Sequence, residues 1–244
     1  MKITLLGTGD AVGTPTLGCD CSACMDAING GRSKRSRFSI LIEGEGTVLI
    51  DTSIDMRHQL LKAGVSHIDG VIWTHSHYDH YAGFGEFYRI HKKVDIYGIK
   101  ETLDQILTTF NFMCYQRHDV TLYEPFSLIG LEFMLFKVSH PPLDNAIGVR
   151  VRDDDKTLVI TGDTSKNIPE ESLKIMSNAD LLIADALAPT FVLRKHMNAV
   201  QAIALGRELN ASRVVLTHLS HSFGQHDIAA KKWPLGYDGM SFEL

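Results

Sequence analysis

The chain has 244 residues, 44% of them hydrophobic and 22% charged, with a formal net charge of −5. This is ordinary globular composition, sufficient for one sizeable domain, and it excludes low-complexity, collagen-like and membrane-spanning classes. The acidic balance argues against a general nucleic-acid binder, which carries a basic surface.

In chain order, Lys2–Leu6 reads as a short strand stopped by Gly7. No long apolar region follows it, so it does not read as a secretory signal, and a cytoplasmic setting is expected. Cys19, Cys21 and Cys24 put three of the four cysteines within six residues. In a reducing compartment that spacing points to a metal site rather than to disulfides. Three thiolates need a fourth ligand to close a tetrahedron, and His221 is the candidate, three residues beyond His218. The basic cluster Arg32-Ser33-Lys34-Arg35-Ser36-Arg37 reads as a solvated loop or as a phosphate-attracting edge, with Arg37 a candidate substrate contact. Strands over Phe38–Ile42 and Thr47–Asp51 flank the turn Glu43-Gly44-Glu45-Gly46, and a helix over Ile54–Ala63 ends at Gly64.

The most informative segment comes next. Gly70–Thr74 reads as a buried strand, and His75-Ser76-His77-Tyr78-Asp79-His80 follows it directly, with Gly83 soon after. Four strong metal ligands in six residues are too many for one closed tetrahedral site, but they can serve two adjacent ions. The remaining strands are expected at Val94–Tyr97, Leu131–Val138, Ile147–Val151, Thr157–Thr161, Leu181–Ala184 and Arg213–Thr217. Helices are expected at Glu101–Phe110 and Ala199–Leu209, the latter capped by Asn198. His140, Asp163 and His218 each follow an apolar strand, where loops converge on a rigid scaffold. Asp153-Asp154-Asp155 reads as a hairpin turn, and Cys114, standing alone, as a buried or semi-buried small apolar residue. Gly236-Tyr237-Asp238-Gly239 reads as a turn closing the final strand, or as a segment returning Tyr237 and Asp238 to the site as substrate contacts. His58, His67, His91, His118 and His226 have no comparable context. Two sheets packed face to face with helices outside would satisfy this order, although composition alone does not choose that fold.

The His-x-His-x-Asp-His block, the distant His140, Asp163 and the late His218 together resemble the metallo-β-lactamase superfamily over essentially the whole chain. The resemblance implies an α/β fold, a four-layer αβ/βα sandwich, as one domain over residues 1–244 with a structural zinc loop at 19–24. Carried over by order, His75, His77 and His140 would hold one ion, Asp79, His80 and His218 the second, and Asp163 would bridge both. Asp51 matches the family's aspartate that fixes a ligating imidazole, while Ser53 stands where the commoner family version has glycine. Cys19, Cys21, Cys24 and His221 resemble the PhnP-like branch, the phosphodiesterase of the carbon–phosphorus lyase pathway, related to PqqB and tRNase Z. There such a set binds one structural zinc.

The branch implies two zinc or manganese ions at the active site and hydrolysis of small, cyclic phosphodiesters by a hydroxide bridging them. His196 matches the branch's proposed general acid, and Asp79 and Asp163 join it in the catalytic set. The expected partner is a small phosphodiester. No membrane partner is expected, and the chain has no long insertion to grip a nucleic-acid polymer; members of the branch are often dimers, which leaves a homodimer open. Two alternatives stay open: a PqqB-like non-hydrolytic accessory protein, which shares the cysteine motif, and a thioester or lactone hydrolase on the same centre. A redox diiron relative is disfavoured, because His77 stands where a glutamate is usual there.

Overall fold

The computed structural model describes residues 1–88 and 93–244, so His91 lies outside the described residues. Among the described residues thirteen strands form two sheets. The first sheet comprises β1 (Lys2–Gly7), β2 (Ser39–Glu43), β3 (Thr47–Ile50), β4 (Gly70–Ile72), β5 (Val94–Gly98), β6 (Tyr115–Asp119) and β13 (Ser241–Glu243), in the order β13-β1-β2-β3-β4-β5-β6. The second comprises β7 (Pro125–Leu128), β8 (Leu131–Lys137), β9 (Ile147–Asp153), β10 (Lys156–Ile160), β11 (Leu181–Asp185) and β12 (Val214–Thr217), in the order β12-β11-β10-β9-β8-β7.

Period-two alternation builds the layers. Ile40 and Ile42 of β2 face the second sheet and join Ile50, Leu135, Val149, Ile160 and Ile183 in one cluster. Leu41, between them, belongs instead to the cluster on the outer face of that sheet, which also holds Leu103 and Ile106 of α4 (Lys100–Leu107). On the second sheet Val159, Leu182 and Leu216 point outward, against Ala202 and Leu205 of α6 (Ala199–Glu208) and Met176 of α5 (Glu170–Met176). Both faces of each sheet are therefore covered, which is why the central strands read as unbroken apolar runs. The result is the expected four-layer αβ/βα sandwich. Asn198 caps α6 with a full capping box, its side chain accepting from Gln201 N while Gln201 accepts from Asn198 N.

The first sheet is parallel from β3 to β6 and the second from β10 to β12, with antiparallel strands beyond. The carboxyl ends of these parallel strands meet at one edge of the sandwich. A cross-sheet bond from Ile147 N to Thr74 O (2.9 Å) ties the two edges together. Gly162, after β10, has φ of +59°, and a Cβ there would lie 2.8 Å from Ile147 O, so the strand-to-loop turn before Asp163 needs glycine.

The edge strands β6, β7 and β13 went unanticipated. β6 is Tyr-Gln-Arg-His-Asp, a half-polar edge strand that pairs in parallel with β5 and stacks His118 on Tyr97 at 4.4 Å. β7 opens with proline, which an edge position tolerates. Cys114 is exposed, not buried, because it sits in the turn immediately before β6.

Candidate metal centre

Two groups of metal-ligating side chains converge in this structure. In the first, Cys21 and Cys24 flank the start of α1 (Ser22–Ile28), and Cys19 lies in the loop before it. The Sγ atoms of Cys19, Cys21 and Cys24 stand 3.3, 3.4 and 3.6 Å from His221 Nδ1. Ligands on a tetrahedral zinc, at roughly 2.3 Å for sulfur and 2.0–2.1 Å for nitrogen, stand about 3.5 Å apart, so the donor set fits that ion. The backbone N–H of Cys24 lowers the Cys21 thiol to about 6, which favours the thiolate. Paired backbone bonds, Leu219 N to Thr8 O and Asp10 N to Leu219 O, lash the β1–α1 loop to the segment carrying His221.

The second group lies where the two sheet edges meet. His75 Nε2 and His140 Nε2 each stand 3.0 Å from His77 Nδ1. Asp163 Oδ2 is central, 3.4 Å from His80 Nε2, 3.3 Å from His218 Nε2 and 3.7 Å from His75 Nε2. Asp79 Oδ2 lies 3.3 Å from His80 Nε2 and 3.8 Å from His218 Nε2. His80 Nε2, His218 Nε2 and Asp163 Oδ1 are buried without a hydrogen-bond partner. Buried polar atoms are normally satisfied, so such a knot of orphans fits cations as the missing partners. All seven side chains matched to the dinuclear set are thus brought together.

A ring of supporting groups fixes which nitrogen each imidazole presents. Asp51, wholly buried after β3, accepts from His80 Nδ1 (2.7 Å), Thr74 N (2.7 Å) and Thr74 Oγ1 (2.7 Å). Because the Thr74 hydroxyl donates to Asp51, it accepts from His75 Nδ1 at 3.0 Å. His140 Nδ1 donates to Lys195 O at 3.0 Å. Each of these histidines is left with Nε2 facing the cluster. Burial and the charge of His80 hold the His75 imidazole well below its ordinary range, which keeps it in the neutral form a metal needs.

His196 lies against this cluster, its ring parallel to His218 at 4.9 Å and edge-on to His140 at 4.8 Å. Its Nδ1 donates to Asp185 Oδ2 at 3.0 Å. Burial lowers the His196 pKa, but Asp185 outweighs it and raises the imidazole above its usual value. Asp185 escaped the sequence reading. It ends the apolar strand β11 as Asp163 follows β10, and that parallel was the available signal. Asp185, Asp163, His196 and His218 also form a possible ligand group of their own. Against His196 as a ligand, Asp185 Oδ2 already binds it while also accepting from Thr164 N and Met197 N. Asp185 Oδ1 lies 3.8 Å from His218 Nδ1, beyond hydrogen-bond reach, so the carboxylate acts on that histidine through charge alone.

The candidate substrate contacts Arg37, Tyr237 and Asp238 do not join the cluster. They line a neighbouring cleft whose walls contain none of the cluster residues. Arg37 pairs with Asp55 at 3.2 Å. Asp238 accepts from the backbone and hydroxyl of both Thr8 and Ser36, which makes it a clasp closing the C-terminal segment onto the sheet. Three of the remaining described histidines have partners away from the cluster, His118 with Asp95, His67 with Asp69 and His226 with Arg35, while His58 lines the neighbouring cleft.

Comparison with known proteins agrees with this geometry. The family model of the beta-lactamase superfamily domain matches residues 46–219, a span that holds every residue of the His/Asp cluster and none of the cysteine site. The octanoyltransferase of Porphyromonas gingivalis (strain ATCC BAA-308 / W83) is 26% identical over 98% of this chain, which spans about half (51%) of that relative's length. The crystal structure of a new diphosphatase from the PhnP family superposes with a TM-score of 0.88 at 28% identity, covering 100% of this chain and 97% of that one. Zinc-bound PqqB from Methylobacterium extorquens superposes with a TM-score of 0.81 at 21% identity, covering 100% of both chains. Among the described residues no helix is long and apolar enough to cross a membrane. A buried knot of histidines and aspartates at the shared edge of two sheets, inside a family match covering most of the chain, makes this protein a member of the metallo-β-lactamase superfamily.

Proposed function

We propose that this chain is a metal-dependent phosphodiesterase acting on small, cyclic phosphodiesters. His75, His77, His140 and Asp163 would hold one ion, and Asp79, His80 and His218, with Asp163 shared, a second. Zinc or manganese ions held there would supply Lewis acidity, lowering the pKa of water and offsetting charge on phosphoryl oxygens. The chain's own groups do the rest. Asp51, Thr74 and the Lys195 carbonyl hold the ligating rings in one tautomer and orientation.

The observation that carries the reading is the Asp185–His196 pair beside the cluster. With Nδ1–H committed to Asp185, Nε2 is the nitrogen that can hold a proton and pass it to a departing alkoxide. Thioester hydrolysis, which releases a thiolate, needs such an acid less, and a non-hydrolytic accessory role gives it no work. One second reading has its own support: the similarity to a PhnP-family diphosphatase favours a phosphoanhydride as the scissile group. Turnover of 2′,3′-cyclic AMP and of a nucleoside diphosphate by the zinc- or manganese-loaded protein tests both. Faster hydrolysis of the cyclic ester supports the first reading, and preference for the diphosphate supports the second. Full metal loading with no hydrolysis of either would sink both.

A further inference from the structure

The cleft beside the metal centre has features that the hydrolytic reading does not use. It is bounded by the β1–α1 loop, the 31–37 segment and α2 (Met56–Ala63), with a volume of about 730 Å³, within the usual range for small-molecule sites. Arg32, Lys34, Arg35, Arg37 and Lys62 line it, against the two carboxylates Asp55 and Asp238. Its balance is therefore cationic in a chain whose net charge is −5.

The cations are not all internally compensated. Arg37 is neutralised by Asp55. Arg35, only 6% exposed, donates to Thr8 Oγ1, Gly236 O and His226 Nδ1, all uncharged or weakly charged acceptors. Its counter-charge is Asp238, reached only through the Thr8 hydroxyl, which accepts from Arg35 and donates to Asp238; no carboxylate among the described residues touches the guanidinium directly. Arg35 and Asp238 therefore largely balance each other, and the unpaired charge on the lining is that of the exposed lysines, whose field the concave walls concentrate. Lys34 and Lys62 are exposed on the lining and make no ion pair among the described residues. Arg32 reaches Asp227 only at 3.7 Å and lies 5.3 Å from the ring centre of Tyr237.

We infer that this cleft is a second ligand site, separate from the metal centre, for a small multiply phosphorylated molecule. Several cations around one concavity match the charge of two phosphates better than that of a single carboxylate. The walled shape suits a small molecule rather than a polymer laid across a surface. The inference holds whether or not the metal centre cleaves phosphodiesters.

The test is calorimetric titration of fructose 1,6-bisphosphate into the metal-loaded protein. The comparison is with the double variants Lys34→Glu/Lys62→Glu and Lys34→Gln/Lys62→Gln. Wild type should bind one equivalent, less tightly as salt rises. Affinity should fall at least roughly tenfold in the glutamate pair and less in the glutamine pair, as attractive contacts become repulsive or neutral. Melting temperatures should match wild type, because both lysines are exposed. Equal affinity in all three proteins, or no wild-type binding at low salt, would overturn the proposal. So would tighter binding of a short RNA oligomer than of the bisphosphate, since the occupant would then be a polymer.

Discussion

Asp185→Asn isolates the contribution of the proposed general acid with little change in shape. Asp185 is 1% exposed, and its Oδ2 accepts from Thr164 N (3.0 Å), Met197 N (3.4 Å) and His196 Nδ1 (3.0 Å). The asparagine carbonyl can keep the two backbone donors, but it cannot also keep a charge-assisted bond from an imidazolium. The same carbonyl then faces Nδ1 as a neutral, weaker acceptor, so His196 keeps its tautomer but loses the counter-charge that raises its proton affinity and keeps it a protonated acid. General acid catalysis contributes roughly 10²–10⁴-fold, so turnover of 2′,3′-cyclic AMP, with its alkoxide leaving group, should fall by about that factor. A p-nitrophenyl phosphodiester releases a stable phenolate without a proton and should slow less than about fivefold by the same logic. Metal content must be measured in parallel, because Asp185 Oδ1 also stands 3.8 Å from His218 Nδ1. Equal losses on both substrates with full metal content would refute the acid role. Equal losses with depleted metal would make Asp185 a support of the metal cluster instead.

Three further outcomes follow from the geometry. Cys21→Ser should lower the melting temperature by roughly 10 °C through loss of the ion that pins the loop, while the surviving folded fraction turns over normally; unchanged stability with lost catalysis would contradict the closed-site reading. Gly83→Ala would drive a Cβ to 1.9 Å from Ser53 O, against the Gly83 N to Thr52 O bond that sets the ligand block beside Asp51; it should cost about 1–3 kcal/mol, and a thermal melt indistinguishable from wild type would show that the loop yields freely. In the ion-free chain burial pushes His218 down, but Asp163, Asp79 and Asp185 outweigh it and lift the imidazole to about 9. This raised pKa stabilises the ion-free fold at pH below the unfolded value and loses that contribution as pH rises through about 9. Metal loading near pH 7 must therefore release protons, and affinity should rise with pH; calorimetry in buffers of different ionisation enthalpy that finds no proton release would count against His218 as a ligand.

Much of the site was legible because metal ligands need particular atoms at strand ends. His140, Asp163 and His218 could be picked out by that place alone, and the structure brings them to one point with the block at 75–80. Asp185 has the same place at the end of β11 but lacks a conspicuous motif around it, and its role depends on a contact with a residue eleven positions on. The 32–37 cluster shows the opposite limit. The sequence displays a uniform basic run, yet folding buries Arg35, pairs Arg37 and leaves Lys34 exposed. Tyr237 and Asp238 do return to the body of the fold, but register on β1 and β2 turns Asp238 into a clasp on Thr8 and Ser36. The central strands were readable from their doubly buried runs. Of the edge strands only β12, itself an apolar run, was readable; β6, β7 and β13 were not, because their exposed positions break the apolar pattern and their pairing partners are set by tertiary contacts.

The central claim is a dinuclear hydrolytic centre beside a closed cysteine site. The most direct test is metal content per chain, by elemental analysis of wild type and of Asp163→Ala, alongside hydrolysis of 2′,3′-cyclic AMP. The account predicts about three ions in wild type, one of them retained after Asp163→Ala with turnover abolished, since Asp163 Oδ2 is the atom nearest both halves of the cluster. Near-normal hydrolysis by Asp163→Ala, or a wild-type protein that holds only the cysteine-site ion, would contradict it.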